Sequence, residues 1–242
     1  MKVYNAADIE VGNNMYLIYG DGGTGKTSTA QYFEGKKLLI TLDQSQDVAK
    51  GWANTVVSEP EPSDFNDIYN FLPWLLTDWL QPKLNQFDMI IIDNISNIQA
   101  MALEQVMANK KDNRQAYQEV QQWYRRIAET LRQLRKPVYV TGWETTFDET
   151  DAMGVKKTIY TLDLNTKARN AFAGLFDVVG RIHADETGKR MITLQPDGQT
   201  YAKNRLNARR ECLPENLFNG REEVETFTEP KTTQTETKVE EK

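Results

Sequence analysis

Short apolar runs alternate with amphipathic stretches along most of the chain. Residues 15–20 (MYLIYG) are continuously apolar and predict a strand buried on both faces. Residues 27–35 follow as a helix ended by Gly35, then 36–43 (KKLLITLD) and 54–59 (NTVVSE) as two further strands. Ser63 is placed to cap the next helix, with Asp64 and Asp67 in a first turn that favours carboxylates. Its apolar residues are Phe65, Ile68, Tyr69, Leu72, Leu75, Leu76 and Trp79, and Pro73 predicts a kink. Residues 87–93 (FDMIIID) are a strongly apolar strand. A helix is predicted over 97–109 and a long one over 114–136, which Pro137 stops. Residues 138–143 (VYVTGW) read as a strand, 144–161 as a polar loop or an ordinary hairpin, and 176–185 with 189–195 as a hairpin.

Strands separated by helices imply an α/β fold with a mainly parallel central sheet and helices on both faces. The strands near the C-terminus lack helices between them in this reading and are expected as antiparallel edge strands. No internal repeat is present. Residues 1–220 are read as one domain. Residues 221–242 carry seven Glu against four Lys and Arg, too polar to bury a core, and are read as a disordered acidic tail. The tail is either a solvated terminus or a docking segment for a partner protein.

Composition narrows the chemistry. No run of eighteen apolar residues occurs, so no membrane helix is expected, and the N-terminus lacks a signal peptide's apolar stretch. One cysteine, Cys212, fits a reducing cytoplasm. One histidine, His183, argues against a His-based metal centre or a Ser-His-Asp relay, so a metal here is expected to be a hard ion held by oxygen. The net charge is −6, half of it on the tail, which leaves the body almost neutral and silent about nucleic acid.

The informative stretch is GDGGTGKT, residues 20–27, which matches the phosphate-binding pattern G-x-x-x-x-G-K-[ST] between a predicted strand and a predicted helix. Gly20, Asp21, Gly22, Gly23, Thr24, Gly25, Lys26, Thr27 and Ser28 are the candidate nucleotide-binding residues. The glycines let the backbone wrap a phosphate, Lys26 supplies charge to the outer phosphates, and Thr27 offers a hydroxyl to magnesium. Asp93, emerging from Met89–Ile92, is the candidate second magnesium ligand. Asp43 ends a strand expected beside the phosphate-loop strand and is one candidate for orienting the attacking water; Glu144 is another. Thr141 is expected to contact the γ-phosphate. The cofactors implied are ATP and magnesium. A small-molecule kinase is disfavoured, because the best candidate lid, 144–161, contains no Arg.

The order of a phosphate loop, a strand ending LxD, a hhhhDN strand, a long helix into VYVTGWE and a late Lys203-Asn204-Arg205 resembles the phage-encoded RecA-like ATPases of single-strand annealing and recombination, over about residues 12 to 210. The resemblance implies a RecA-like fold, cytoplasmic location in a host cell, and assembly into a ring or filament. It implies that Lys203 and Arg205 reach a neighbouring subunit's ATP. It also implies single-stranded DNA on the 144–161 loop, with Lys156 and Lys157 on phosphates and Phe147 or Tyr160 on bases. Residues 109–113 are a second candidate DNA loop. Asp43 stands where the family keeps a longer glutamate, which points to slow hydrolysis, and Trp143 and Glu144 stand where RecA has a glutamine sensor. The implied function is a DNA-dependent ATPase that anneals or pairs single strands. The alternatives are a helicase accessory or loader, and a nucleotide-gated DNA-binding module with vestigial hydrolysis.

Overall fold

The computed structural model describes residues 3, 13–108, 110, 112–150 and 154–219. The predicted tail therefore lies outside the described residues. In chain order the elements are β1 (Met15–Gly20), α1 (Lys26–Thr29), β2 (Lys37–Thr41), β3 (Thr55–Ser58), α2 (Ile68–Trp74), β4 (Met89–Asp93), α3 (Gln99–Ala108) and α4 (Asn113–Gln133). They continue with β5 (Val138–Thr150), β6 (Lys156–Leu162), α5 (Thr166–Ala173), β7 (Val178–Ala184), β8 (Arg190–Thr193), β9 (Lys203–Asn204) and β10 (Glu211–Cys212).

The sheet runs β10-β8-β7-β1-β5-β4-β2-β3, with β6 paired to β5 and β9 to β7. From β7 to β3 every pairing is parallel. β8, β9 and β10 close the other edge as antiparallel strands. Alternate residues of each strand feed two cores. Leu17, Tyr19, Leu38, Ile40, Ile90 and Ile92 face α2 to α5. Tyr16, Ile18, Leu39, Met89, Ile91 and Tyr139 face a thinner layer that includes Ala30, Ala49 and Leu217. Helical segments cover both faces, as the run pattern predicts, but four of the five α-helices sit on one of them.

Several expectations need correction. The helix after the phosphate loop is short: α1 gives way to a 3-10 turn, Ala30–Tyr32, and Phe33 is extended. Thr29 returns its hydroxyl to the Gly25 carbonyl at 2.9 Å, a local bond that competes with regular helix. Ser63 makes no side-chain cap. The Asp64 carboxylate instead accepts from the Glu61 amide at 2.8 Å, and residues 64–67 form a 3-10 turn. Pro73 lies inside α2 without an N–H to donate, and the helix continues as a π-helical turn, Leu75–Trp79.

Of the two readings of the polar stretch 144–161, loop or hairpin, the structure shows the hairpin. β5 runs on past the sheet and pairs with β6 as a hairpin, with Phe147 opposite Ile159 and Glu149 opposite Lys157. Threonines and alternating aromatic and charged residues suit a two-stranded ribbon, and the opposite charges favour this register. α5 also escapes the sequence reading, although Asn165 caps it by accepting from the Lys167 amide. That helix is the crossover that makes β7 parallel to β1, so only β8 to β10 are the antiparallel strands expected. β2 is not the neighbour of β1 either; β5 and β4 lie between them.

Gly20 closes β1 at a tight point against β7. A Cβ there would stand 2.3 Å from the Ile182 carbonyl oxygen, which belongs to backbone and cannot turn aside. Gly20→Ala is expected to cost about 1–3 kcal/mol, the range for overpacking, and to lower the melting temperature by several degrees. An unchanged thermal melt would contradict this packing.

Candidate nucleotide-binding site

The phosphate loop joins β1 to α1 at the C-terminal edge of the parallel strands, where α/β sheets bind ligands. Its turn is fixed from within. The Asp21 carboxylate accepts from the Gly22 amide at 2.7 Å, and the Thr24 hydroxyl donates to the Asp21 carbonyl at 2.8 Å. Gly25 has φ +94°, a left-handed conformation that Cβ-bearing residues rarely adopt. Lys26 is buried, and its ammonium donates to the Gly20 and Asp21 carbonyls at 3.0 and 2.8 Å. Burial pulls its pKa down, while the carboxylates of Asp93, Asp21, Asp43 and Glu144 act in the opposite sense. The Tyr139 hydroxyl holds the start of α1 by donating to the Lys26 carbonyl at 2.6 Å.

Asp93 is 2% exposed at the end of β4. One oxygen accepts from the Thr27 hydroxyl at 2.7 Å and the Ser45 hydroxyl at 3.1 Å. The other accepts from the Thr141 hydroxyl. Burial raises the carboxyl's pKa and the nearby Asp43 charge adds to this, whereas the three hydroxyls oppose it. Thr141 was expected to meet a γ-phosphate and is found on Asp93 instead. Ser45 was not singled out in the sequence, since a serine two residues past Asp43 carries no local signal.

These donors fit a magnesium ion. They are hydroxyl and carboxylate oxygens, suited to a hard cation that keeps several waters and takes its remaining oxygens from phosphates. No cluster of three His, Cys, Asp or Glu that would form an all-protein cage occurs among the described residues. Thr41, opposite Asp93 in the β2–β4 register, has a buried hydroxyl oxygen with no hydrogen-bond partner. The site thus has polar capacity beyond its internal bonds.

The two candidates for orienting water differ. Glu144 is mostly buried and grips Arg181 through both oxygens, at 2.6 and 3.1 Å. The Arg181 guanidinium lies 3.5 Å from the centroid of the Tyr160 ring. Asp43 is half-buried, accepts from the Ser45 amide at 3.2 Å and, among the described residues, has no ion-pair partner. Asp43 is the carboxylate left available, although its strand is not next to β1.

Other candidates fall away from the loop. β9 pairs with the beginning of β7, at the opposite end of the sheet. There the Lys203 ammonium donates to the Ala173 and Gly174 carbonyls at 2.9 and 3.2 Å, closing the end of α5. Burial first, and the Arg205 charge second, push its pKa down to about 8. Arg205 is exposed. On the hairpin Phe147, Lys156 and Lys157 are exposed, whereas the Tyr160 ring is taken by Arg181. Of the second candidate DNA loop, Asn109 and Lys111 lie outside the described residues, and Lys110 pairs with Glu119 at 2.8 Å. Arg190, which the sequence did not flag, reaches the loop from β8 and donates to the Gly23 carbonyl at 3.3 Å. At a sequence separation of 167, only the fold brings the two together.

Comparison with known proteins was informative on the family. The model of a family described as AAA domain matches residues 12–206. Among solved structures, the KaiC-like protein PH0186 from Pyrococcus horikoshii OT3 is similar at 14% identity, over 75% of this chain and 77% of that one, with a TM-score of 0.46. No curated protein matches. Among the described residues, no helix is long and apolar enough to cross a membrane.

The placement of Lys203 is open to a direct check. As a helix-end cation it is expected to contribute about 0.3–1 kcal/mol, so Lys203→Ala should lower the melting temperature by about 1–4 °C. A variant that melts like the wild type would contradict the helix-end role.

Proposed function

The chain belongs to the AAA domain family, and from that premise we propose that this P-loop ATPase is DNA-dependent, binding single-stranded DNA and promoting its annealing or pairing in phage recombination. The observation that carries the reading is the continuity of β5. Trp143 stands in register with Gly20 of the phosphate loop, and the same strand runs on into the hairpin that exposes Phe147, Lys156 and Lys157. One rigid element therefore joins the nucleotide loop to a surface whose aromatic ring and lysines suit bases and phosphates.

In this reading the loop of residues 20–28 cradles the phosphates of ATP, and Lys26 exchanges its bonds to the Gly20 and Asp21 carbonyls for the outer phosphates. Thr27 and Asp93 would hold magnesium, which would supply positive charge to the phosphates. Thr141 and Ser45 fix the Asp93 carboxylate so that it needs no rearrangement to serve as a ligand. Asp43 orients the attacking water. Its side chain is one methylene shorter than a glutamate, so turnover is slow. Glu144 acts as the partner of Arg181 rather than as a base. Arg205 is proposed to serve a neighbouring subunit's site in a ring or filament, since it is exposed and remote from its own chain's loop.

A second reading, a nucleotide-gated DNA-binding module with vestigial hydrolysis, is favoured by the full occupation of Glu144 by Arg181. A helicase accessory or loader predicts strand separation instead of annealing.

ATP hydrolysis measured with and without single-stranded DNA, at two salt concentrations, separates these readings. The proposal predicts salt-sensitive stimulation by DNA, and Lys26→Ala should lose most ATP binding by calorimetry. Flat, near-zero rates under every condition would favour the gated module. Unchanged ATP affinity in Lys26→Ala would overturn the site itself.

A further inference from the structure

A cleft of about 290 Å³ opens directly beside the phosphate loop, and Gly25 and Ser28 form part of its wall. Its other walls come from distant parts of the chain. Gln31 and Tyr32 contribute from the turn after α1, Arg190 from β8, and Pro214 from the 3-10 turn Pro214–Asn216. The volume sits at the lower edge of the roughly 300–1,000 Å³ usual for small-molecule sites, which suits a nucleoside.

The cleft is a built feature. The segment that carries Pro214 is pinned by the Arg209 guanidinium, which donates to the Asn216 and Leu217 carbonyls at 2.8 and 3.1 Å. Phe218 then packs edge-on against Tyr16 and Phe33, with ring centroids 5.2 and 5.6 Å apart. Arg190 is held against the loop by its bond to the Gly23 carbonyl, and its guanidinium occupies the space that a Cβ on Gly25 would need. Tyr32 is 43% exposed, one of the few large aromatic side chains left at the surface among the described residues. The lining thus offers two flat groups, a phenol ring and a guanidinium, together with the buried Pro214. Flat faces of this kind recognise a heteroaromatic ring by stacking.

We infer that this cleft receives the nucleoside half of the bound nucleotide, with its base stacked on Tyr32 and Arg190. The inference rests on the nucleotide-binding reading of the phosphate loop. A nucleotide whose phosphates occupy the loop must direct its nucleoside out of one end, and the cleft begins where residues Gly25 and Ser28 end the cradle. Recognition by stacking against flat groups is tolerant of base identity, so ATP and GTP should bind with affinities within about tenfold of each other.

The test uses the full chain and two probes, ATP and inorganic tripolyphosphate, which has the phosphates without the nucleoside. Tyr32→Ala is expected to weaken ATP at least tenfold and leave tripolyphosphate within twofold of wild type. Tyr32→Phe, which keeps the ring, should bind ATP normally. Gln31→Trp, at an exposed position on the rim, should fill the cleft and reproduce the selective loss without disturbing the core. Wild-type ATP affinity in both Tyr32→Ala and Gln31→Trp would overturn the inference, as would equal loss of both probes in folded protein. If the wild type binds tripolyphosphate and ATP equally tightly, the cleft is not used although the loop reading survives. Binding of neither probe by the wild type would remove the loop reading and the cleft with it.

Discussion

The site is organised by one buried carboxylate. Asp93 is held by the hydroxyls of Thr27, Ser45 and Thr141, which come from the phosphate loop, from the segment after β2 and from β5. A carboxylate taken out of water is costly unless its lone pairs are satisfied. Here satisfaction requires three separate parts of the chain to converge at the end of β4. The sheet order places β4 between β2 and β5, which brings Ser45 and Thr141 to it from its two neighbours. The bond from Thr27 then draws α1 over the gap left by the intervening β5. The nearby Lys26 feels the field of several carboxylates and is turned onto the loop's own carbonyls. This leaves a pocket of opposed charges that phosphate and a hard cation complement.

The same geometry ties the site to the hairpin. Tyr19, one residue before the phosphate loop, donates its hydroxyl to the Tyr160 and Tyr201 carbonyls at 3.1 and 2.8 Å. Glu144 at the hairpin's base grips Arg181, which is in register with Tyr19 and covers the Tyr160 ring. Strand, ion pair and ring form a contiguous contact path between the loop and the hairpin.

Where a physical signal was local, the sequence was legible. The apolar run of β1, the glycine loop, the apolar β4 ending in Asp93, and α4 with its stop at Pro137 all declare themselves within a few residues. Features decided by long-range contact were not legible. α5 is short, and its Asn165 cap lies in a polar neighbourhood that reads as loop. The 144–161 hairpin is polar because it leaves the sheet, so it lacks the apolar run that marks the other strands, although its alternation was present. Asp43 was placed beside β1 because strand order cannot be read from strand identity. Lys203 was expected at a neighbouring subunit's ATP, and its bonds to the end of α5 could not be read, since nothing in Lys203-Asn204-Arg205 reveals that α5 ends beside it. Arg190 and Ser45 had no signal at all.

The central claim is that Asp93 and Thr27 jointly hold a divalent cation against bound ATP. Manganese is an oxygen-preferring substitute for magnesium whose electron paramagnetic resonance spectrum reports its ligands. The measurement is that spectrum for Mn–ATP with the wild-type chain and with Asp93→Asn. The account predicts that the wild type broadens the Mn–ATP signal and that Asp93→Asn leaves it as in free solution. The same broadening in both proteins would contradict the account.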